Sequence, residues 1–133
     1  MLYEFKLTIP SNTPKSSPLR ERVELTRGVI HKVELEFPPG CLGLVHVIIR
    51  HFEHQIFPTN RDGDFASDNH VISFPEYYEL AYPPYVLTLE GWNEDDTYSH
   101  TVTVRIGVLP DWVVQPERGL LNLLRKFQRR FRL

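Results

Sequence analysis

The side chains in this chain with chemistry to offer are six histidines, one cysteine and two acidic loops. A metal-dependent jelly-roll enzyme of the cupin type holds its metal with a tight His-x-His and a following acid on one strand. His46, His51 and His54 lie close together, but the sequence has no His-x-His. On one extended strand His51 and His54, three apart, fall on opposite faces, and His46 joins His51 only if the strand bends. Asp62, Asp64 and Asp68 have the look of a calcium loop. That loop needs oxygen ligands at alternate positions, a glycine at the sixth and a glutamate at the twelfth, whereas Gly63 falls between the first two acids here. Glu94-Asp95-Asp96 shares a cation with them only if the two loops meet at one end of the fold; otherwise all are solvated acids. Ser67, Asp68 and His70 are neighbours in sequence, but no elbow motif presents a nucleophile. No glycine-rich phosphate loop is present. The single Cys41, beside Gly40 at a turn, reads as a small filler and excludes an internal disulfide. The expectation is a non-enzymatic protein with no cofactor, no metal and no catalytic residue.

Two other groups of residues suit binding. Tyr77, Tyr78, Tyr82, Tyr85, Trp92 and Tyr98 gather around prolines and loops, and aromatic anchors of this kind form the cores of interfaces. Tyr77, Tyr78, Trp92 and Tyr98 are the candidate exposed binding aromatics, the alternative being rings that cap the ends of a sandwich. Charge is also uneven. Residues 1 to 117 carry 9 Lys/Arg and 17 Asp/Glu, whereas residues 118 to 133 carry six basic residues and no acid. In that tail Leu120, Leu124, Phe127 and Phe131 recur at helical spacing behind a Pro116-Glu117 start. Arg125, Arg129 and Arg130 form the charged fringe. A basic amphipathic helix over 112–133 is expected, with the apolar residues as knobs of an assembly contact. An anionic membrane and nucleic acid are weaker readings, because an acidic body on every other copy already offers a partner.

The elements that would position these residues are strands. Leu2 to Ile9 alternates apolar and polar residues at period 2, as does His100 to Val108. Arg22 to Thr26 reads as a short strand. Val29 to Phe37 reads as another, with Val29, His31, Val33, Leu35 and Phe37 inward. Leu44-Val45-His46-Val47-Ile48-Ile49 is the most apolar run, too short to span a membrane and suited to a central strand covered on both faces, with a bend or bulge near His51. Pro10 to Pro18 is a polar loop or an arm on a neighbouring subunit, and Thr59 to Asn69 is a loop centred on Asp62-Gly63. Val71 to Phe74 and Tyr85 to Gly91 complete the set, with Pro75 to Glu79 as a bent or helical turn. Short strands at regular spacing, separated by turn residues, indicate an all-β antiparallel sandwich or jelly roll over residues 1–111.

At 133 residues the chain has the length of one domain with its own core, and 41% hydrophobic with 24% charged residues argues against wholesale disorder. No run reaches membrane length, and Met1-Leu2-Tyr3-Glu4 lacks the layout of a secretion signal, so a soluble protein made in the cytoplasm is expected.

FPPGCLGLVHVIIRHFEHQIFPTN (Phe37 to Asn60) and PPYVLTLEGWNEDDTYSHTVTVRIGVLP (Pro83 to Pro110), about two fifths of the chain, resemble accessory structural proteins of tailed-phage virions. The likeness lies in the general plan, a small jelly-roll-like module with proline-rich connections and terminal arms. It implies a decoration, minor capsid or tail-associated role in the virion, assembled in the host cytoplasm. The partners would be further copies of the chain and a larger capsid or tail scaffold. A carbohydrate- or protein-binding module using Trp92 and the tyrosines is the first alternative, and a metal-dependent jelly-roll enzyme the second.

Overall fold

Period-2 alternation puts Leu7 and Ile9 of β1 (Leu2–Ile9) in the interior, with Tyr3 and Phe5 packed at its margin. The same rule acts in β8 (His100–Leu109), where Val102, Val104, Ile106 and Val108 are fully buried. The remaining strands are β2 (Leu19–Glu24), β3 (Gly28–Phe37), β4 (Val45–His51), β5 (His54–Phe57), β6 (His70–Leu80) and β7 (Val86–Asn93). The computed structural model describes residues 1–110, and the amphipathic segment 112–133 lies outside the described residues. Among the described residues the fold is all-β: two four-stranded antiparallel sheets, ordered β1-β8-β3-β6 and β2-β7-β4-β5. Their facing sides supply one core, with Ile30, Val33, Leu35 and Phe37 from one sheet meeting Val45, Val47, Ile49, Leu87 and Leu89 from the other. Burying each such side chain contributes about 1.5–3 kcal/mol. The sandwich is therefore held mainly by the contact between its sheets.

Gly91 of β7 lets the two layers close. A Cβ there would lie 2.5 Å from Ile9 Cδ1 and 3.1 Å from Leu7 Cδ2, so the missing side chain is the space that β1 fills. The apolar run does form an interior strand, β4 between β7 and β5, and the ladder shifts register at Ile49/Arg50. Three of the edge strands are guarded against further pairing. β5 has four residues, β2 is rich in Arg and Glu, and β6 carries Pro75.

Four expectations are corrected. His31 does not face the core: it is the extra residue of a bulge between Ile30 and Lys32, opposite Val108 and Gly107, and the phase change turns Ile30 inward. His31 lies instead over Gly107, where a Cβ would be 2.6 Å from its Nε2. Pro75 to Glu79 is not a turn but the middle of β6; an edge strand with an irregular ladder tolerates a residue that has no N–H. The second strand begins earlier than Arg22, at Leu19, because Val23 pairs with Leu87 and draws Arg20 opposite Glu90. His51 and His54 do not sit on one strand. A two-residue turn at Phe52-Glu53, with Phe52 at φ 56°, makes them cross-strand partners.

The connections 10–18, 38–44, 58–69 and 94–99 gather at one end. Asn12 N donates to Asp95 O, Asn93 N to Thr13 O and Glu94 N to Leu44 O. The 10–18 loop thus lies back on its own sandwich. At the opposite end Gly28 sits directly on the backbone of β8, where a Cβ would lie 2.5 Å from Leu109 O. Backbone atoms cannot swing aside as a side-chain tip can. Gly28→Ala is expected to cost about 1–3 kcal/mol of stability, read as a lower denaturant midpoint; an unchanged midpoint would contradict this packing.

Candidate functional site

The outer face of the β2-β7-β4-β5 sheet concentrates the charged groups that strand periodicity leaves pointing away from the core. On β7, Leu87, Leu89 and Gly91 face in, so Thr88, Glu90 and Trp92 face out. The register sets Arg20 of β2 and Ile48 of β4 on either side of Glu90, and His46 beside Trp92. Glu90 is only 3% exposed although it carries a charge. Arg20 Nε donates to its Oε1 at 2.8 Å and Arg50 Nε to its Oε2 at 2.5 Å. Burial pushes the Glu90 carboxyl up, but the hydrogen bonds and charges of Arg50 and Arg20 outweigh burial and hold it below its usual value. The carboxylate is therefore ionised and binds two cations, each by one nitrogen.

The loops complete the face. Lys15 reaches over the Trp92 ring, 5.3 Å from its centroid, while His46 stacks on it with centroids 5.2 Å apart. Arg61 and Gly63 arrive from the 58–69 loop, and Gln55 Nε2 ties that loop down with its two N–H groups shared among the carbonyls of Pro58, Asn60 and Gly63. The result is a hollow of about 100 Å³ with Arg50, Glu90 and Trp92 at its base and Lys15 and Arg61 at its rim. It adjoins a wider cleft of about 550 Å³ that shares Arg50, Gln55 and Arg61.

The candidate aromatics do not form one surface. Trp92 is not an exposed loop residue: it is 5% exposed, because it lies within β7 beneath Lys15. Tyr98 is exposed on the 94–99 loop beside the start of β8. Tyr77 and Tyr78 belong to β6, across β3 from the far end of β8, with Tyr78 opposite Ile30 and Ile30 opposite Val108. Eight or so residues of strand, roughly 25 Å, separate the two groups. Tyr77 is about half exposed, whereas Tyr78 packs against the core with its hydroxyl 2.6 Å from His51 Nδ1. Burial lowers the pKa of His51 and raises that of Tyr78, so a neutral ring and a neutral phenol share this hydrogen bond. The tail candidates Leu120, Leu124, Arg125, Phe127, Arg129, Arg130 and Phe131 lie outside the described residues.

The acids of the loop end do meet, and they meet on protein donors. Asp64 Oδ1 is 2.7 Å from His46 Nδ1, and Glu94 Oε1 is 3.5 Å from His46 Nε2, a distance that counts as charge proximity rather than a hydrogen bond. Asp68 Oδ1 accepts from the N–H groups of Gly40 and Leu42, fixing the 38–44 turn, where Gly40, Leu42 and Gly43 all have positive φ. Asp95 accepts from His100 Nε2 and from the N–H groups of Thr97 and Tyr98. These bonds, His100's first, hold its carboxyl below the usual range. Among the described residues no group of three or more His, Cys, Asp or Glu side chains is arranged to hold a metal ion. Cys41 is fully buried, and burial, then Asp68 and Asp95, push its thiol up, so it stays protonated.

Glu90 also makes stability depend on pH. A carboxyl with a folded pKa below its unfolded one contributes stability above the unfolded value and loses it as pH falls through the folded value. Glu90→Gln removes the anion between two guanidinium groups. It is expected to cost about 1–3 kcal/mol at neutral pH, less than a fully buried pair because Arg20 is largely in solvent. The parent's advantage should shrink as the pH drops below the ordinary glutamate range. Denaturation midpoints measured from pH 7 to pH 3 check this, and equal stability at pH 7 would contradict it. No family model matches the chain, and no curated protein matches it.

Proposed function

We propose that this chain is a non-catalytic structural module, a jelly-roll sandwich that associates with copies of itself and docks on a larger assembly. The observation that carries the reading is the strand order, β1-β8-β3-β6 against β2-β7-β4-β5. It is the order expected of an eight-stranded jelly roll built from two Greek keys, an architecture used by viral capsid and lectin domains. Analogy at the level of fold favours a role in binding and assembly. Combined with the resemblance of the two long stretches to accessory proteins of tailed-phage virions, it gives the specific form of the proposal: a decoration, minor capsid or tail-associated protein of a particle.

Other features support it. The loop end is fixed by side-chain clamps, so the module presents a defined surface. On the outer face of the β1-β8-β3-β6 sheet Arg105 reaches Glu4, Glu34 and Glu36 across three strands. Exposed Leu2, Phe52 and Tyr82 stand ready for contact at the end opposite the loop cluster. In this proposal the basic segment 118–133 supplies the anchor, with Leu124 and Phe127 as apolar contacts. A glycan-binding module is favoured by a different observation, the polar hollow beside Trp92, although that ring is covered and offers no stacking platform.

The mass of the full-length protein in solution, compared with that of residues 1–111, tests the assembly role. An oligomer is expected for the full chain and a folded monomer for the shorter one. Leu124→Asp should give a folded monomer as well. A full-length monomer, or an unfolded Leu124→Asp variant, would contradict the anchor role.

A further inference from the structure

We propose that the hollow on the outer face of the β2-β7-β4-β5 sheet, with its adjoining cleft, binds an acidic saccharide, one bearing sulfate or carboxylate groups. The proposal is independent of assembly, since a monomer carries the whole site.

Charge is the first ground. Lys15, Arg50 and Arg61 line the hollow with a single carboxylate, Glu90, which Arg20 also pairs from the neighbouring strand, so the lining carries a net positive charge within a body that is acidic as a whole. The second is how the arginines are held. Glu90 takes each guanidinium by its Nε, and Arg50 Nη1 also reaches Glu53 O at 3.3 Å. A guanidinium has five N–H donors, so the two bonds on Arg50 fix its direction at the hollow while most of its donors remain for another acceptor. Replacing a buried ion pair by apolar side chains commonly costs a protein nothing in stability. A buried carboxylate that orients a cation in a concave site is therefore better explained by what that cation holds.

Size and lining identify the ligand class. About 100 Å³ is room for one oxyanion group, and guanidinium forks match the oxygens of such groups. The adjoining cleft of about 550 Å³ is lined by Glu53, His54, Gln55 and Thr59, a mixture of donors and acceptors suited to hydroxyl groups. Nucleic acid would call for exposed rings on which bases stack. The ring at this site is occupied by Lys15 on its face and by His46 stacked against it.

The test is titration calorimetry on the full-length protein at physiological salt. The probes are a heparin-derived sulfated tetrasaccharide, a tetragalacturonate, inorganic sulfate and a single-stranded oligonucleotide of matching charge. At least one of the saccharides should bind more tightly than sulfate and the oligonucleotide. The double variant Lys15→Gln/Arg61→Gln should lose about tenfold or more in affinity, as expected when charge-assisted contacts are removed. Both residues are exposed, so the fold should be kept, which circular dichroism checks. Lys6→Gln, on the opposite sheet, should bind as the parent does. Four results would overturn the proposal: no saccharide binding; binding unaffected by the double variant, which would place it elsewhere, as on the basic segment 118–133; sulfate binding as tightly as the saccharides; or an oligonucleotide binding at least as tightly. If the double variant misfolds, the two single variants carry the same comparison.

Discussion

A carboxylate placed in the middle of a sheet, away from water, constrains everything around it. Glu90 lies on β7, with β2 on one side and β4 on the other, and its charge survives burial only because each neighbour brings an arginine. That requirement fixes the register of both ladders, since Arg20 must stand opposite Glu90 and Arg50 two residues beyond Ile48. It also shapes the outer face. Two guanidinium groups held by one anion leave a net positive centre, and the 10–18 and 58–69 loops add Lys15 and Arg61 rather than acids to its rim.

The loop end follows a comparable logic with the signs reversed. Its acids face backbone N–H groups and histidines. Asp68 holds the 38–44 turn in its left-handed conformation, Asp95 with His100 closes the 94–99 loop, and the His46 ring lies between Asp64 and Glu94. Asn93, 1% exposed, joins these loops to the sheets: its side chain donates to the carbonyls of Ile9 and Tyr98 and accepts from Asp95 N. Leaving such buried groups without partners costs about 1–3 kcal/mol each. The order of the loops is thus built mainly from satisfied polar groups, with His46 Nε2 the exception, and Asp64, Asp68 and Asp95 serve structure there.

Much of this fold is legible in the sequence because period-2 alternation is a local signal. β1 and β8 can be read almost to the residue, and the apolar run of β4 identifies an interior strand. Long-range features are not legible. The bulge that turns His31 outward depends on register with β8, and the two-residue turn between His51 and His54 is hard to see without a glycine or asparagine to mark it. Trp92 reads as a loop aromatic because it precedes an acidic loop; its burial depends on Lys15, 77 positions earlier in the chain. The cationic hollow escapes a reading of strand patterns, though a signal for it exists. Glu90 and Arg50 interrupt the apolar strands VLTLEGW and VHVIIRH, and a charge inside a covered strand needs a partner.

The most direct test of this reading is the carboxyl titration of Glu90 itself, followed by carbon-13 NMR in the folded protein. A midpoint below that of an ordinary glutamate would confirm that two arginines hold the buried anion and keep the face positive. A midpoint at or above the ordinary value would mean that burial dominates, that the guanidinium groups are not fixed by Glu90, and that the site derived from them does not exist.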